Sequence, residues 1–188
     1  MKARALMFGV PWNPDNQLFL DRVISDLDIF TKFCLQQGIE IDTASLYDGN
    51  ARKGEILRRI HNFLHSDSAT SEPCIRLIVY AGHGRDELGD WMCCDGDVTF
   101  EEIFAEVSAA YEKENQTQTV LNRSQAYLQA TASKATLSQT LIIADCCFSG
   151  MWAEKYFQKV GYVRGQQDPS AESVMYSALN GANDLVSG

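Results

Sequence analysis

The sequence predicts an α/β fold, a three-layer sandwich in which a mostly parallel central sheet is flanked by helices. Two observations carry this. Apolar runs of strand length alternate along the chain with segments of helical periodicity, the order that builds successive βα units with right-handed crossovers. Two of the runs, Ile75–Tyr80 and Thr140–Ala144, are continuous rather than alternating, as expected of central strands covered on both faces.

The first strand is Ala5–Val10, which stops at Pro11-Trp12-Asn13-Pro14. The preceding Met1-Lys2-Ala3-Arg4 gives it the look of a short signal peptide, but no small-residue cleavage site follows, so it reads as a buried strand. Phe19, Val23, Leu27, Phe30 and Cys34 then recur at helical spacing, with Asp15 or Asn16 as the cap and Gly38 as the stop. Ile39–Leu46 alternates as a second strand and Tyr47-Asp48-Gly49-Asn50 turns the chain. Ile56, Leu57, Ile60, Phe63 and Leu64 mark the apolar stripe of a second helix, broken by the polar stretch 66–72.

After the strand at 75–80, Trp91–Cys94 has the composition of a short strand, and Thr99 with Glu102 forms a capping box for a helix through Tyr111. The Gln/Thr/Ser-rich segment 112–139 is weakly patterned and reads as a surface excursion carrying one helix at Leu121–Ala130. The strand at 140–144 leads into a short helix from Met151 to Val160, a polar loop and a last strand, Ser173–Leu179.

The chain has 188 residues, with 16 Lys and Arg against 25 Asp and Glu for a net charge of −9, and 45% hydrophobic residues. This describes one globular domain large enough to hold a core without disulfides or metal. The six cysteines include the adjacent pairs Cys93-Cys94 and Cys146-Cys147 and no CxxC, which fits reduced thiols in a cytoplasmic protein. Adjacent cysteines close a disulfide only with strain, so a redox pair is disfavoured. The acidic balance argues against nucleic acid as a partner, Lys53, Arg58 and Arg59 reading as a solvated helix face, and no apolar run is long enough for a membrane span.

In open parallel sheets the ligand crevice lies beyond the carboxyl ends of the strands. Here one buried strand ends in Ala81-Gly82-His83-Gly84 and another in Asp145-Cys146-Cys147-Phe148-Ser149-Gly150. A cysteine is a working nucleophile when an imidazole takes its proton, so His83 and Cys147 on two strand ends form a coherent hydrolase pair. Backbone N–H groups of Gly82, Gly84 and Cys147 are the candidate donors for an oxyanion.

These two segments, Leu77–Gly84 and Leu141–Gly150, resemble the catalytic segments of caspase-like (clan CD, peptidase C14) cysteine peptidases, closest to metacaspases and prokaryotic caspase homologues. The Asp-x-Cys-x-Ser-Gly form of the second is the specific part; the Gln-Ala-Cys-x-Gly signature of animal caspases is absent. The resemblance implies a caspase-hemoglobinase-like fold, Cys147 rather than Cys146 as nucleophile, and Phe148 in place of the His that many metacaspases carry. It extends through Asp26, Leu27, Phe30, Cys34 and Gly38 of the first helix and the strand order to Leu179. It divides the single domain 1–188 into a large-subunit-like part, 1–160, and a partial small-subunit-like part, 161–188, shorter than in the family.

In basic-specific members of the family, an acidic residue of the first helix and the Asp two before the nucleophile line the S1 pocket. Asp26 and Asp145 match those positions and imply cleavage after Arg or Lys. Lys159 and Arg164 fall where relatives are cut during maturation, and Arg164 is the candidate for self-processing. The resemblance implies protein or peptide substrates, a regulatory protein or assembly as a further partner, and no cofactor for the chemistry. The alternative reading is a caspase-like scaffold or regulatory module, inactive without a partner or a further C-terminal half.

Asp86, Glu87, Asp90, Asp95 and Asp97 crowd the segment after His83. A solvated acidic loop is the plainer account. Ca²⁺ activation through Asp90, Asp95 and Asp97 is the alternative, which the resemblance favours because many metacaspases are calcium-activated. His61 and His65 stand four apart on the second helix, the spacing of a paired metal site, but no third ligand accompanies them in the sequence. No metal site is assigned there.

Overall fold

The computed structural model describes residues 2–46, 51–66, 74–125, 138–159 and 174–178. The elements follow the order β1 (Lys2–Gly9), α1 (Arg22–Gln36), β2 (Glu40–Leu46), α2 (Lys53–His65), β3 (Cys74–Ala81), α3 (Phe100–Gln125), β4 (Gln139–Asp145), α4 (Gly150–Lys159) and β5 (Val174–Ala178). The strands form one five-stranded sheet in the order β2-β1-β3-β4-β5, and every neighbouring pair is parallel. The fold is α/β with a parallel sheet between two helical layers.

Side-chain alternation along the central strands sorts the core into two halves. On one face Leu6, Phe8 and Val10 pack with Ile78 and Tyr80, Ile142 and Ala144, and with the apolar stripes of α2, α3 and α4. On the other, Ala5, Met7, Leu77 and Val79 pack with Leu27 and Cys34 of α1. Four aromatic rings lock the larger half: Trp91 stacks on Tyr80 at 4.6 Å and on Trp152 at 5.0 Å, with Phe100 edge-on to Trp152 at 5.8 Å. This column ties β3, the loop beyond it, α3 and α4 into one unit.

Three expectations are corrected. The α1 helix begins at Arg22, and Asp15 and Asn16 do not cap it; the Asn13 and Asn16 side-chain oxygens instead accept from the N–H groups of Asp15 and Leu18. These short turns, with Pro11 and Pro14, hold residues 11–21 as a loop. α3 continues unbroken past Tyr111 to Gln125. Phe100, Ile103, Val107 and Ala110 are buried along its inner side, while Glu112, Lys113, Asn115 and Gln116 are exposed. An exposed stretch carries no apolar pattern, yet 112–125 contains no Gly or Pro to end the helix. Trp91–Cys94 is no strand: Trp91 makes single bridges to Gly84 and Val98.

Among the described residues no helix is long and apolar enough to cross a membrane. Trp91 is fully buried at the centre of the aromatic column. Trp91→Ala is expected to lower unfolding stability by about 3–5 kcal/mol, read from urea denaturation; a loss under about 1 kcal/mol would mean the column is not the anchor of this half of the core.

Candidate active site

β3 and β4 lie in parallel register with Ala81 opposite Asp145, and the Gly82 N–H donates to the Asp145 carbonyl at 3.1 Å. The segments beyond them therefore leave the sheet together, at the carboxyl edge. They are packed backbone against backbone. A Cβ on Gly84 would lie 2.0 Å from the Cys147 carbonyl oxygen, and one on Gly89 2.3 Å from that of Phe148, closer than any side chain permits. Phe148 takes a left-handed conformation, φ 57°, which sharpens the turn from β4 into α4 at an energetic cost the surrounding contacts must hold.

His83 is half-buried and fixed at both ends. Its Nε2 lies 2.8 Å from the Leu18 carbonyl oxygen. A carbonyl can only accept, so Nε2 carries the hydrogen, and in the neutral ring Nδ1 is left as the proton acceptor. Its backbone carbonyl accepts from the Tyr80 hydroxyl at 2.9 Å and the Met92 N–H at 3.1 Å. Sequence reading finds neither partner: Leu18 acts through a backbone oxygen and carries no side-chain signal, and Tyr80 reads simply as a core residue.

The two adjacent thiols are in opposite surroundings. Cys146 is buried against the larger core, and burial, reinforced by the charges of Cys147, Asp145 and Asp90, pushes its thiol up to about 12. Cys147 is exposed. Of the candidate oxyanion donors, the Gly82 N–H is engaged by Asp145, which removes it from that role. The N–H groups of Gly84 and Cys147 have no acceptor among the described residues.

Asp26 and Asp145 line one cavity of about 240 Å³ on the α1 face of the sheet, with Leu27, Ile29, Phe30, Val79, Ala81 and Ile143. The alternation that turns Ala144 and Cys146 to the larger core turns Ile143 and Asp145 to this side. Desolvation, and then the neighbouring charge of Asp26, raise the Asp145 carboxyl above its usual range. The cavity thus combines two carboxylates with an apolar floor.

Asp90, Asp95 and Asp97 are divided among separate partners. Asp90 pairs with Lys155 at 3.3 Å, Asp95 accepts from the Lys53 N–H at the start of α2 at 2.7 Å, and Asp97 takes both prongs of Arg85 at 2.7 and 2.9 Å. They do not form a converging group of ligand atoms among the described residues. Lys159 ends α4 with its ammonium over the Phe104 ring, and Arg164 lies outside the described residues.

No family model matches the chain, and no curated protein matches its sequence. Among solved structures it is similar to the structure of pro-sf-caspase-1, with a TM-score of 0.46 and 14% identity over 76% of this chain and 45% of that one. The chain thus spans less than half the length of that protein. A likeness of this degree leaves the chemistry to be argued from the residues themselves.

Two outcomes follow from this geometry. Brief alkylation of the native protein, mapped by mass spectrometry, should modify Cys147 and Cys94, the exposed thiols, and spare Cys34, Cys74, Cys93 and Cys146, which are buried; labelling of Cys146 before Cys147 would contradict it. Gly84→Ala must displace the Cys147 carbonyl and should cost about 1–3 kcal/mol of stability, with a changed Cys147 alkylation rate; wild-type values for both would show that the contact is loose.

Proposed function

We propose that the chain is a cysteine endopeptidase with a Cys147–His83 dyad that cleaves after Arg or Lys. The observation that carries this reading is the Leu18 carbonyl on His83 Nε2, which sets the ring in the tautomer whose Nδ1 accepts a proton, at the strand edge where the exposed Cys147 emerges.

In this reading Nδ1 takes the Cys147 thiol proton as the sulfur attacks the scissile carbonyl carbon. The carbonyl oxygen gains negative charge and is held by the N–H groups of Gly84 and Cys147. As the C–N bond breaks, the imidazolium returns its proton to the leaving amine. A thioester on Cys147 remains. Water, deprotonated by the same Nδ1, attacks the thioester, and the collapse frees the carboxylate product and the thiol. Leu18 and Tyr80 act as positioning groups, the first through the ring and the second through the His83 carbonyl. No cofactor takes part in these steps.

Specificity rests on the cavity between Asp26 and Asp145. Its apolar floor suits the methylene stem of Arg or Lys and its two carboxylates suit the charged head. An acidic side chain would add a third negative charge. Arg164 remains the site proposed for self-cleavage, and Ca²⁺ a proposed activator.

Fluorogenic peptides ending in Arg, Lys or Asp, assayed with and without millimolar Ca²⁺, test the proposal. Turnover of the Arg or Lys peptide is expected, abolished in Cys147→Ala and His83→Ala. Asp26→Asn and Asp145→Asn should each lower kcat/KM by about ten- to hundredfold, the worth of a hydrogen bond to a charged group. Turnover of the Asp peptide alone would overturn the pocket assignment. No turnover of any peptide by the folded chain would remove the endopeptidase reading in favour of the scaffold.

The raised carboxyl of Asp145 adds a pH dependence. A cationic side chain binds the ionised form, so affinity for the Arg peptide should weaken as pH falls through the Asp145 titration, beginning above the ordinary Asp range. In Asp145→Asn that acid limb should shift downward; an unchanged limb would assign it to another group.

A further inference from the structure

His61 and His65, one turn apart on α2, meet a third metal-ligating side chain from another element. Glu106 of α3 places Oε2 at 2.9 Å from His61 Nδ1 and 3.8 Å from His65 Nε2, and the ligand atoms of all three residues lie within 4.8 Å of one another. This corrects the expectation that the histidine pair lacks a third ligand: Glu106 is 45 residues from His61 in sequence, and only the packing of α3 on α2 brings it there.

We propose that His61, His65 and Glu106 form a Zn²⁺ site that clips α2 to α3. The proposal stands independently of the peptidase reading. Three observations carry it. First, the geometry is close to what the ion requires. Zn–N and Zn–O bonds of about 2.0–2.2 Å in a tetrahedron hold ligand atoms about 3.4 Å apart. The distances of 2.9 and 3.8 Å to Glu106 bracket that value, and all the ligand atoms lie within 4.8 Å, so the ion enters with side-chain shifts of about an ångström.

Second, a donor atom is waiting. His65 Nε2 is buried and makes no hydrogen bond, an arrangement that leaves a polar atom unsatisfied and that a metal bond would complete. Third, the two rings lie 4.4 Å apart, centroid to centroid, so both imidazoles can reach one ion.

The donor set selects the ion. Two imidazoles and one carboxylate suit zinc, whereas Ca²⁺ and Mg²⁺ require oxygen ligands. Glu106 supplies the negative charge, and the nearby Arg76 is paired with Glu114. An ion entering between His61 and Glu106 requires the ring hydrogen to pass from Nδ1 to Nε2 through solvent, which keeps the imidazole neutral, and replaces their hydrogen bond with two metal bonds. His61, 55% exposed, leaves the fourth position open to water.

The consequence of the clip is set by what α2 and α3 hold. At their N-terminal ends Lys53 pairs with Glu102 at 2.7 Å and the Lys53 N–H donates to Asp95. Zinc at the His61–Glu106 end would fix the two helices at a second point, and with them the loop 85–99 that packs against His83 and Phe148.

The test is a Zn²⁺ titration of the full chain against a chromophoric chelator, in a Cys147→Ala background that removes the exposed thiol next to β4, with thermal unfolding in Zn²⁺ and in chelator alongside. One equivalent is expected to bind, raising the unfolding midpoint by about 5–10 °C at a hundredfold excess over Kd. His61→Ala and Glu106→Gln, both at solvent-accessible positions, should each weaken that equivalent more than about tenfold, since even the loss of an outer-shell partner costs 10–100-fold. Both should keep the parent's unfolding midpoint in chelator to within a few degrees. Co²⁺ in place of Zn²⁺ should give no thiolate-to-metal absorption. Binding that is unchanged in both variants, thiolate absorption with Co²⁺, or no bound equivalent would overturn the proposal.

Discussion

The organisation of this molecule depends on the register between β3 and β4. Because Ala81 faces Asp145 and the Gly82 N–H extends the ladder by one more bond to the Asp145 carbonyl, the two central strands stop at the same level. A slip of one residue would turn each side chain to the opposite face. Asp145 would then enter the larger core beside Tyr80 and Trp91, and Cys146 would face α1. The interior forbids that exchange: a carboxylate among stacked aromatic rings would have no partner. The same alternation that fills the core with Ile142, Ala144 and Cys146 thus determines which thiol meets solvent and which carboxylate meets Asp26.

Beyond the last ladder bond, regular pairing no longer holds the chain, and close packing takes over. Gly84 and Gly89 let the loop after β3 press directly on the carbonyls of Cys147 and Phe148. The column Tyr80–Trp91–Trp152 holds that loop from beneath, and the Arg85–Asp97 and Lys155–Asp90 pairs hold it at the rim. The partly exposed Arg85–Asp97 pair contributes little energy, whereas Lys155 supplies the counter-charge to the buried Asp90. The role of both pairs is to fix a direction for a segment whose stability comes from the buried rings. Three of the acidic residues that crowd this loop, Asp90, Asp97 and Asp95, are accounted for by such pairings and by the Lys53 N–H at the start of α2.

Much of this was legible in the sequence. The continuous apolar runs give the central strands to within a residue or two, the residues at their ends give His83 and Cys147 as candidates, and the family resemblance alone supplies Asp26 and Asp145. What was not legible has a common physical origin. The Leu18 carbonyl on His83 and the Glu106 carboxylate on the histidine pair join residues separated by 65 and 45 positions, and neither leaves a local pattern. The length of α3 is missed for a different reason: from Glu112 its sequence is polar and carries no apolar stripe, and helical periodicity is visible only where one face is apolar. The start of α1 was misplaced because Asn16 is equally suited to cap a helix and to close a turn, and the prolines at 11 and 14 decide for the turn.

The pair Asp26 and Asp145 connects the stability of the fold with its proposed use. Burial and mutual repulsion raise the Asp145 carboxyl, so the folded state binds a proton more tightly there than the unfolded chain does. By linkage, Asp145 favours the folded state most below its unfolded titration, and that contribution is lost as pH rises through the raised value. At neutral pH the empty pocket is therefore a source of local destabilisation. A bound guanidinium or ammonium group reverses the sign: it stabilises the ionised carboxylates, returns the Asp145 titration toward acid and stabilises the fold as it binds. On the proposed reading, the cost of holding two carboxylates together without a counter-charge is what would make the pocket discriminate. An uncharged side chain leaves the repulsion in place, an acidic one adds to it, and a basic one removes it. On this account the preference proposed for Arg and Lys is a direct consequence of the β3/β4 register, which leaves Asp145 no other face on which to lie.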